Sequence, residues 1–120
     1  GLEKNIEVMG FLPDADVVAI LKAGKVFVFP SHEEGWGMAI AEAMVCGMPV
    51  VSWDLPVYQE IFEDNTLQIK ENDVNSFAEK VVELLKNEEL RDRIGAVGKD
   101  FVKKYSWAEV ARQELGIIKA

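Results

Sequence analysis

The sequence predicts an α/β fold with a mainly parallel sheet and a helical C-terminal third. Three observations carry that prediction. Short apolar runs alternate with segments of helical periodicity up to residue 69. Two of the runs, Val26-Phe27-Val28-Phe29 and Met48 to Trp53, are nearly continuous in apolar residues, as in parallel strands covered on both faces. From Asp73 onward only amphipathic helical spacing remains.

Taken in order, Ile6-Glu7-Val8-Met9-Gly10-Phe11 reads as a short strand, broken by Pro13. Asp14 is a candidate N-cap for a helix over Ala15 to Ala23, with Val17, Val18, Ile20 and Leu21 inward and Gly24 as its stop. The run Val26 to Phe29 is the second strand, ended by Pro30 and Ser31. A helix from about Met38 to Cys46 stops at Gly47, and Pro49 cannot prolong it. Met48 to Trp53 is a strand, Val57 to Phe62 a short helix, and Thr66 to Ile69 a weak last strand. Asp73 caps a helix to about Lys86, with Phe77, Val81, Leu84 and Leu85 inward. The next begins near Glu88, places Leu90, Ile94, Val97 and Phe101 on one face, and is weakened at Gly95 and Gly98. Ser106-Trp107-Ala108-Glu109 matches a capping box before a final helix with Val110, Ala111 and Leu115.

The composition bounds the function. An apolar content of 49% over 120 residues suits a folded domain rather than a disordered chain. The net charge of −8 disfavours nucleic-acid binding. No apolar run reaches the roughly 18 residues of a membrane span, and no signal peptide is visible. One His and one Cys make no zinc constellation. Cys46 reads as a small buried core residue. The opening Gly-Leu-Glu-Lys-Asn-Ile reads as the interior of a longer protein.

Chemistry concentrates between residues 31 and 60. Ligands of open α/β sheets bind beyond the carboxyl ends of the strands, which gathers Ser31, Glu34, Gly35, Gly37, Asp54 and Glu60 at one rim. Gly35 and Gly37 permit close approach of a ligand to the backbone. The amides of Gly37, Met38 and Ala39 open a helix whose N-terminus favours an anion. Glu42 is the one charge in Met-Ala-Ile-Ala-Glu-Ala-Met-Val-Cys. Either it bonds a group inside the fold, or it faces a cleft and meets ligand hydroxyls. Trp36 is a pocket wall or a packing residue. His32 reads as a loop histidine, and Arg91, Arg93, Lys103 and Lys104 as solvated helix faces. From Val26 through Ile69 there is no Lys or Arg, so cationic partners for a phosphate are expected from outside this segment.

The motif Pro30-Ser31-x-x-Glu34-Gly35-Trp36-Gly37-x-x-x-x-Glu42-Ala43-Met44-x-x-Gly47-x-Pro49-Val50-Val51 resembles the Glu-x7-Glu region of family 4 retaining glycosyltransferases, also called glycosyl transferases group 1. Asn5-Ile6, Gly10-Phe11-Leu12, Glu60-Ile61, Asp73, Leu84-Leu85, Leu90-Arg91 and Tyr105-Ser106-Trp107 extend the resemblance over nearly the whole chain.

The resemblance implies the GT-B fold, with two Rossmann-like domains facing across a cleft. Residues 1–120 would be one domain: part of the C-terminal, nucleotide-sugar-binding domain, a Rossmann-like parallel sheet flanked by helices, with C-terminal helices. It implies that Glu34 contacts the donor sugar near the reacting carbon and that Glu42 binds the ribose hydroxyls. Ser31, Gly35, Trp36, Gly37, Met38 and Ala39 would complete the donor site. The donor would be a UDP- or GDP-hexose and the acceptor a saccharide or lipid-linked saccharide, with no metal or other cofactor.

The partner domain, and the basic residues for the diphosphate, would lie upstream. The isolated chain is therefore expected to be inactive. A cytoplasmic protein is expected, compatible with a peripheral seat of the parent at a membrane, though no basic amphipathic helix here supports one. The segment Asp54 to Glu60 lacks the Gly-Gly frequent in the family, and Asp64 to Leu67 lacks a glycine. The final helix is expected to leave an apolar face unfilled. The rival expectation is a non-catalytic nucleotide-sugar-binding module, or a subunit completed by a partner chain.

Overall fold

The computed structural model describes all 120 residues. Helix α1 (Asp14–Ala23) leads to strand β1 (Phe27–Phe29), helix α2 (Met38–Val45), strand β2 (Val50–Trp53), helix α3 (Pro56–Phe62) and strand β3 (Leu67–Ile69). Helices α4 (Val74–Lys86), α5 (Glu88–Phe101) and α6 (Trp107–Lys119) follow. The three strands lie in the order β1-β2-β3, all parallel, with Phe27 opposite Val50 and Val51 opposite Leu67. This is the expected α/β, Rossmann-like arrangement with C-terminal helices.

The strand expected over Ile6 to Phe11 does not form. A short 3-10 turn, Glu3–Asn5, is followed by irregular chain. Strand conformation needs a neighbour for its amides and carbonyls, and no backbone hydrogen bond involves residues 6–12. Val8 and Phe11 are 90% and 101% exposed, so no burial holds the segment either.

The apolar stripe of α1 is likewise open at Val17, Val18 and Ile20, and only Leu21 packs against the core. Pro13, not Asp14, occupies the N-cap position. β1 is covered on one face only, because Val28 is exposed.

The core lies around β2, whose four residues are all buried. Ile40, Ala43 and Met44 of α2, Tyr58 and Phe62 of α3, and Phe77 and Leu84 of α4 enclose it. Leu85 and Val97, expected inward, are exposed, whereas Val81, Leu90, Ile94 and Phe101 pack against the core.

Gly95 and Gly98 do not interrupt α5. Both are buried, and they are where α5 approaches α2 most closely: a β-carbon on Gly98 would stand 3.3 Å from the Met44 methyl. Arg91 is no solvated residue. It donates to the carbonyls of Leu84 and Leu85 at 2.9 and 3.2 Å, satisfying the end of α4.

The capping box at α6 is half made. Ser106 Oγ accepts from the Glu109 amide, but the Glu109 carboxylate turns to Arg112 and Gln113. Trp107, Ile117 and Ile118 are exposed, so α6 leaves the apolar face expected of it unfilled. No helix is long and apolar enough to cross a membrane.

Candidate functional site

β1 and β2 run parallel, so the loop after Phe29 and the turn after Trp53 emerge at the same edge of the sheet. The loop closes on Gly37, which holds φ 96 as the N-cap of α2. That dihedral favours glycine. A side chain would also collide there, since a β-carbon would lie 3.0 Å from Phe62 Cε2 and 3.1 Å from Tyr58 Cε1. The first two bonds of α2 run from the Ile40 and Ala41 amides to the Gly37 carbonyl. The amides of Gly37, Met38 and Ala39 make no hydrogen bond, and no side chain caps the helix. Three free donors therefore gather at the positive end of the helix dipole.

Glu34 is half-buried in that loop, and its carboxylate has no hydrogen-bond or ion-pair partner. Tyr58 of α3 lies beneath the same loop, its ring against Gly37. Burial pushes the Tyr58 phenol up to about 12; the Glu34 carboxylate adds to the shift and the Ser31 hydroxyl opposes it. The Ser31 hydroxyl donates to the Glu33 carbonyl at 3.1 Å. Tyr58 Oη is left without a hydrogen-bond partner.

Glu42, one turn into α2, is exposed and bonded to nothing inside the fold. It lines a crevice of about 500 Å³ together with Trp36, Met38, Val45, Lys99 and Trp107. The two readings left open for this carboxylate are thus separated: it faces a cleft. Met38 and Val45 are exposed on the same face, so the apolar composition of α2 does not bury it all round. Lys99 and Lys103 reach the crevice from the far side, and Lys103 is held at 2.8 Å by Asp100. Glu34 does not line this crevice.

Trp36 serves two ends. It borders the crevice and packs edge-on against Phe62 and Tyr105, with ring centroids 5.5 and 5.0 Å apart. The Tyr105 hydroxyl donates to the Ile61 carbonyl at 2.6 Å, which fixes the turn before α6 to α3.

Of the remaining rim residues, Asp54 has a structural partner and Glu60 has none. Asp54 accepts the Glu71 amide at 2.8 Å, and His32 Nδ1 lies 2.6 Å from Glu71 Oε1. Glu60 is exposed on α3. Cys46 is half-buried rather than a core residue. Lys104, read as solvated, pairs with Glu63 at 2.9 Å and lies over the Phe101 ring.

Sequence reading missed Tyr58 and Lys99. Tyr58 left a signal, the four-residue spacing to Phe62 on the inner side of a helix that starts at the rim. Lys99 left none, because its place depends on how α5 docks on α2.

Residues 1–101 match the family model described as glycosyl transferases group 1. The chain belongs to that family. It is 38% identical over 105 residues to an uncharacterised glycosyltransferase of Methanocaldococcus jannaschii, covering 86% of this chain and 30% of that protein. It is 32% identical over 114 residues to O-antigen chain mannosyltransferase B of Escherichia coli, covering 95% and 30%. It is 33% identical over 116 residues to the phosphatidyl-myo-inositol mannosyltransferase of Mycobacterium leprae, covering 94% and 31%. The chain thus spans about 30% of the length of these group 1 glycosyltransferases.

Proposed function

We propose that residues 1–120 are the donor-binding part of a GT-B C-terminal domain, in a retaining family 4 glycosyltransferase that uses a UDP- or GDP-hexose. One observation carries the reading. The free amides of Gly37, Met38 and Ala39 stand between two carboxylates that have no partner inside the fold, Glu34 before them and Glu42 after them. A nucleotide-sugar has the matching order of groups: hexose hydroxyls, diphosphate, ribose hydroxyls. Carboxylates accept from hydroxyls at both ends, and amides at a helix start suit the anion in the middle.

In this reading Glu34 binds the sugar next to the reacting carbon, and Glu42 binds the ribose. Ser31, Gly35 and Trp36 shape the loop between them. As the bond from the anomeric carbon to the diphosphate breaks, charge grows on the leaving oxygen. The amides at α2 stabilise that charge electrostatically, with basic side chains from outside residues 26–69. The opposing domain carries the site for the saccharide or lipid-linked acceptor. The 120-residue chain by itself turns over little or no donor. The parent works in the cytoplasm.

Two of the relatives are named mannosyltransferases, which makes mannose the first sugar to try. The test is transfer by the full-length protein from GDP-mannose and UDP-glucose, with the anomeric configuration of the product read by NMR. Product with the donor's configuration supports the reading. An inverted product, or no transfer from any nucleotide-hexose to any saccharide acceptor, rejects it.

A further inference from the structure

The loop that carries Glu34 has few polar ties to the rest of the fold. No backbone-to-backbone hydrogen bond involves residues 30–36. Among the side chains from His32 to Trp36, one reaches another element by a hydrogen bond: His32 Nδ1 lies 2.6 Å from Glu71 Oε1. An ionised carboxylate only accepts, so Nδ1 carries the proton and donates.

Glu71 is firmly seated. It follows β3, and its amide donates to Asp54 Oδ1 at 2.8 Å. The Asp54 amide in turn donates to the Ile69 carbonyl at 2.9 Å. The loops at the carboxyl ends of all three strands are thus joined in series, through His32 after β1, Glu71 after β3 and Asp54 after β2. The His32 ring also lies beside that of Trp53 at the end of β2, with centroids 6.0 Å apart.

Glu34 sits midway between His32 and Trp36 in the sequence. Trp36 is held by Phe62 and Tyr105. Its own carboxylate bonds to nothing, so the place of Glu34 depends on these two holds. An exposed charged pair adds little to global stability. On a loop without backbone bonds it removes freedom that a ligand would otherwise have to freeze.

We infer that His32 and Glu71 are positioning residues for Glu34: their hydrogen bond keeps the loop where the Glu34 carboxylate meets the hexose of the donor. The inference rests on the donor-binding reading above. The nucleotide end of the donor, on Glu42 and the α2 amides, does not depend on the pair.

The test uses the full-length protein as wild type, His32→Ala, Glu71→Ala, their double variant and His32→Asn, with Glu34→Ala alone and combined with His32→Ala. Each is titrated calorimetrically with GDP, GDP-mannose, UDP and UDP-glucose. His32→Ala and Glu71→Ala each lose roughly three- to fivefold in affinity for the nucleotide-hexose, the range open to an exposed charged pair. Affinity for the bare nucleotide holds. The double variant loses no more than either single one, because both remove the same hydrogen bond. His32→Asn, whose amide donates from the place of Nδ1, binds as wild type. In the Glu34→Ala background His32→Ala has no further effect.

Equal loss for nucleotide and nucleotide-hexose, loss in His32→Ala without loss in Glu71→Ala, no loss in either, losses that add in the double variant, His32→Asn as weak as His32→Ala, or a further loss on top of Glu34→Ala each overturns the inference and leaves the donor reading standing. A wild type that binds no nucleotide-hexose overturns the donor reading, and this inference with it.

Discussion

A β-carbon on Gly95 would stand 2.0 Å from the carbonyl oxygen of Gly47. Gly47 is the residue with φ 78 just past α2, and Gly95 lies mid-way along α5. The two backbones therefore touch where α5 seats on the end of α2. That contact sets the far wall of the crevice beside Glu42, because Lys99 follows one turn later on the same helix.

Gly95→Ala tests how closely the fit is held. The obstacle is backbone, not the end of a flexible side chain, so α5 must move away. Overpacking of this kind costs about 3 kcal/mol, far more than the small gain in helix propensity from Gly to Ala, about 1 kcal/mol. Chemical denaturation of the variant should show a net loss. A stability equal to or above wild type would mean that α5 does not dock as described.

Glu63 holds φ 52 and ψ −131, a backbone region that glycine occupies without penalty. The conformation is kept by its surroundings: Gln68 donates to the Glu63 carbonyl at 2.9 Å and Lys104 pairs with its carboxylate. Glu63→Gly relieves the strain and forfeits only an exposed ion pair of small worth. A net gain of about 1 kcal/mol in unfolding free energy is expected. A loss of similar size would show that the ion pair, not the backbone, governs this turn.

Asp73 caps α4. The Ser76 amide, at 3.1 Å, holds the Asp73 carboxyl below the usual carboxylate range, and the Ser76 hydroxyl at 2.8 Å reinforces it. A carboxyl with a depressed folded pKa binds fewer protons folded than unfolded between the two values, so stability rises with pH through that window. The contribution is complete above the unfolded value of about 3.9. It is lost as pH falls through the lower folded value. The stability difference between wild type and Asp73→Ala should be flat at neutral pH and shrink in acid. A difference that persists undiminished well below the folded value would contradict the capping account.

Much of the fold was legible because it is local. Apolar runs marked β1, β2 and β3, and Asp73 and Gly47 marked helix ends that the structure keeps. What failed needed partners that the sequence pattern does not show. Ile6 to Phe11 has strand composition but no neighbouring strand here to pair with. Leu85 and Val97 sit at the margins of their apolar stripes, where small rotations of a helix decide burial. Gly95 and Gly98 looked like weak points because propensity is a local quantity, whereas their use is a tertiary contact.

The candidate site divides in the same way. Glu34, Gly37 and Glu42 stood out through residue type and spacing, and Gly37 takes the left-handed conformation that its position demands. The exposure of Glu42 was not decidable from an apolar helix. It follows from Met38 and Val45 remaining open on the same side. The buried hydroxyl of Tyr58 became visible only with its missing partner.

In the proposed donor site, Glu42 holds the ribose of a nucleotide-sugar. The direct measurement is calorimetric titration of the full-length protein with UDP, GDP, UDP-glucose and GDP-mannose, wild type against Glu42→Ala. Binding of one nucleotide, free and sugar-linked, is expected, weakened roughly tenfold or more in Glu42→Ala. Binding that Glu42→Ala leaves unchanged, or no binding of any of the four by the wild type, would contradict it.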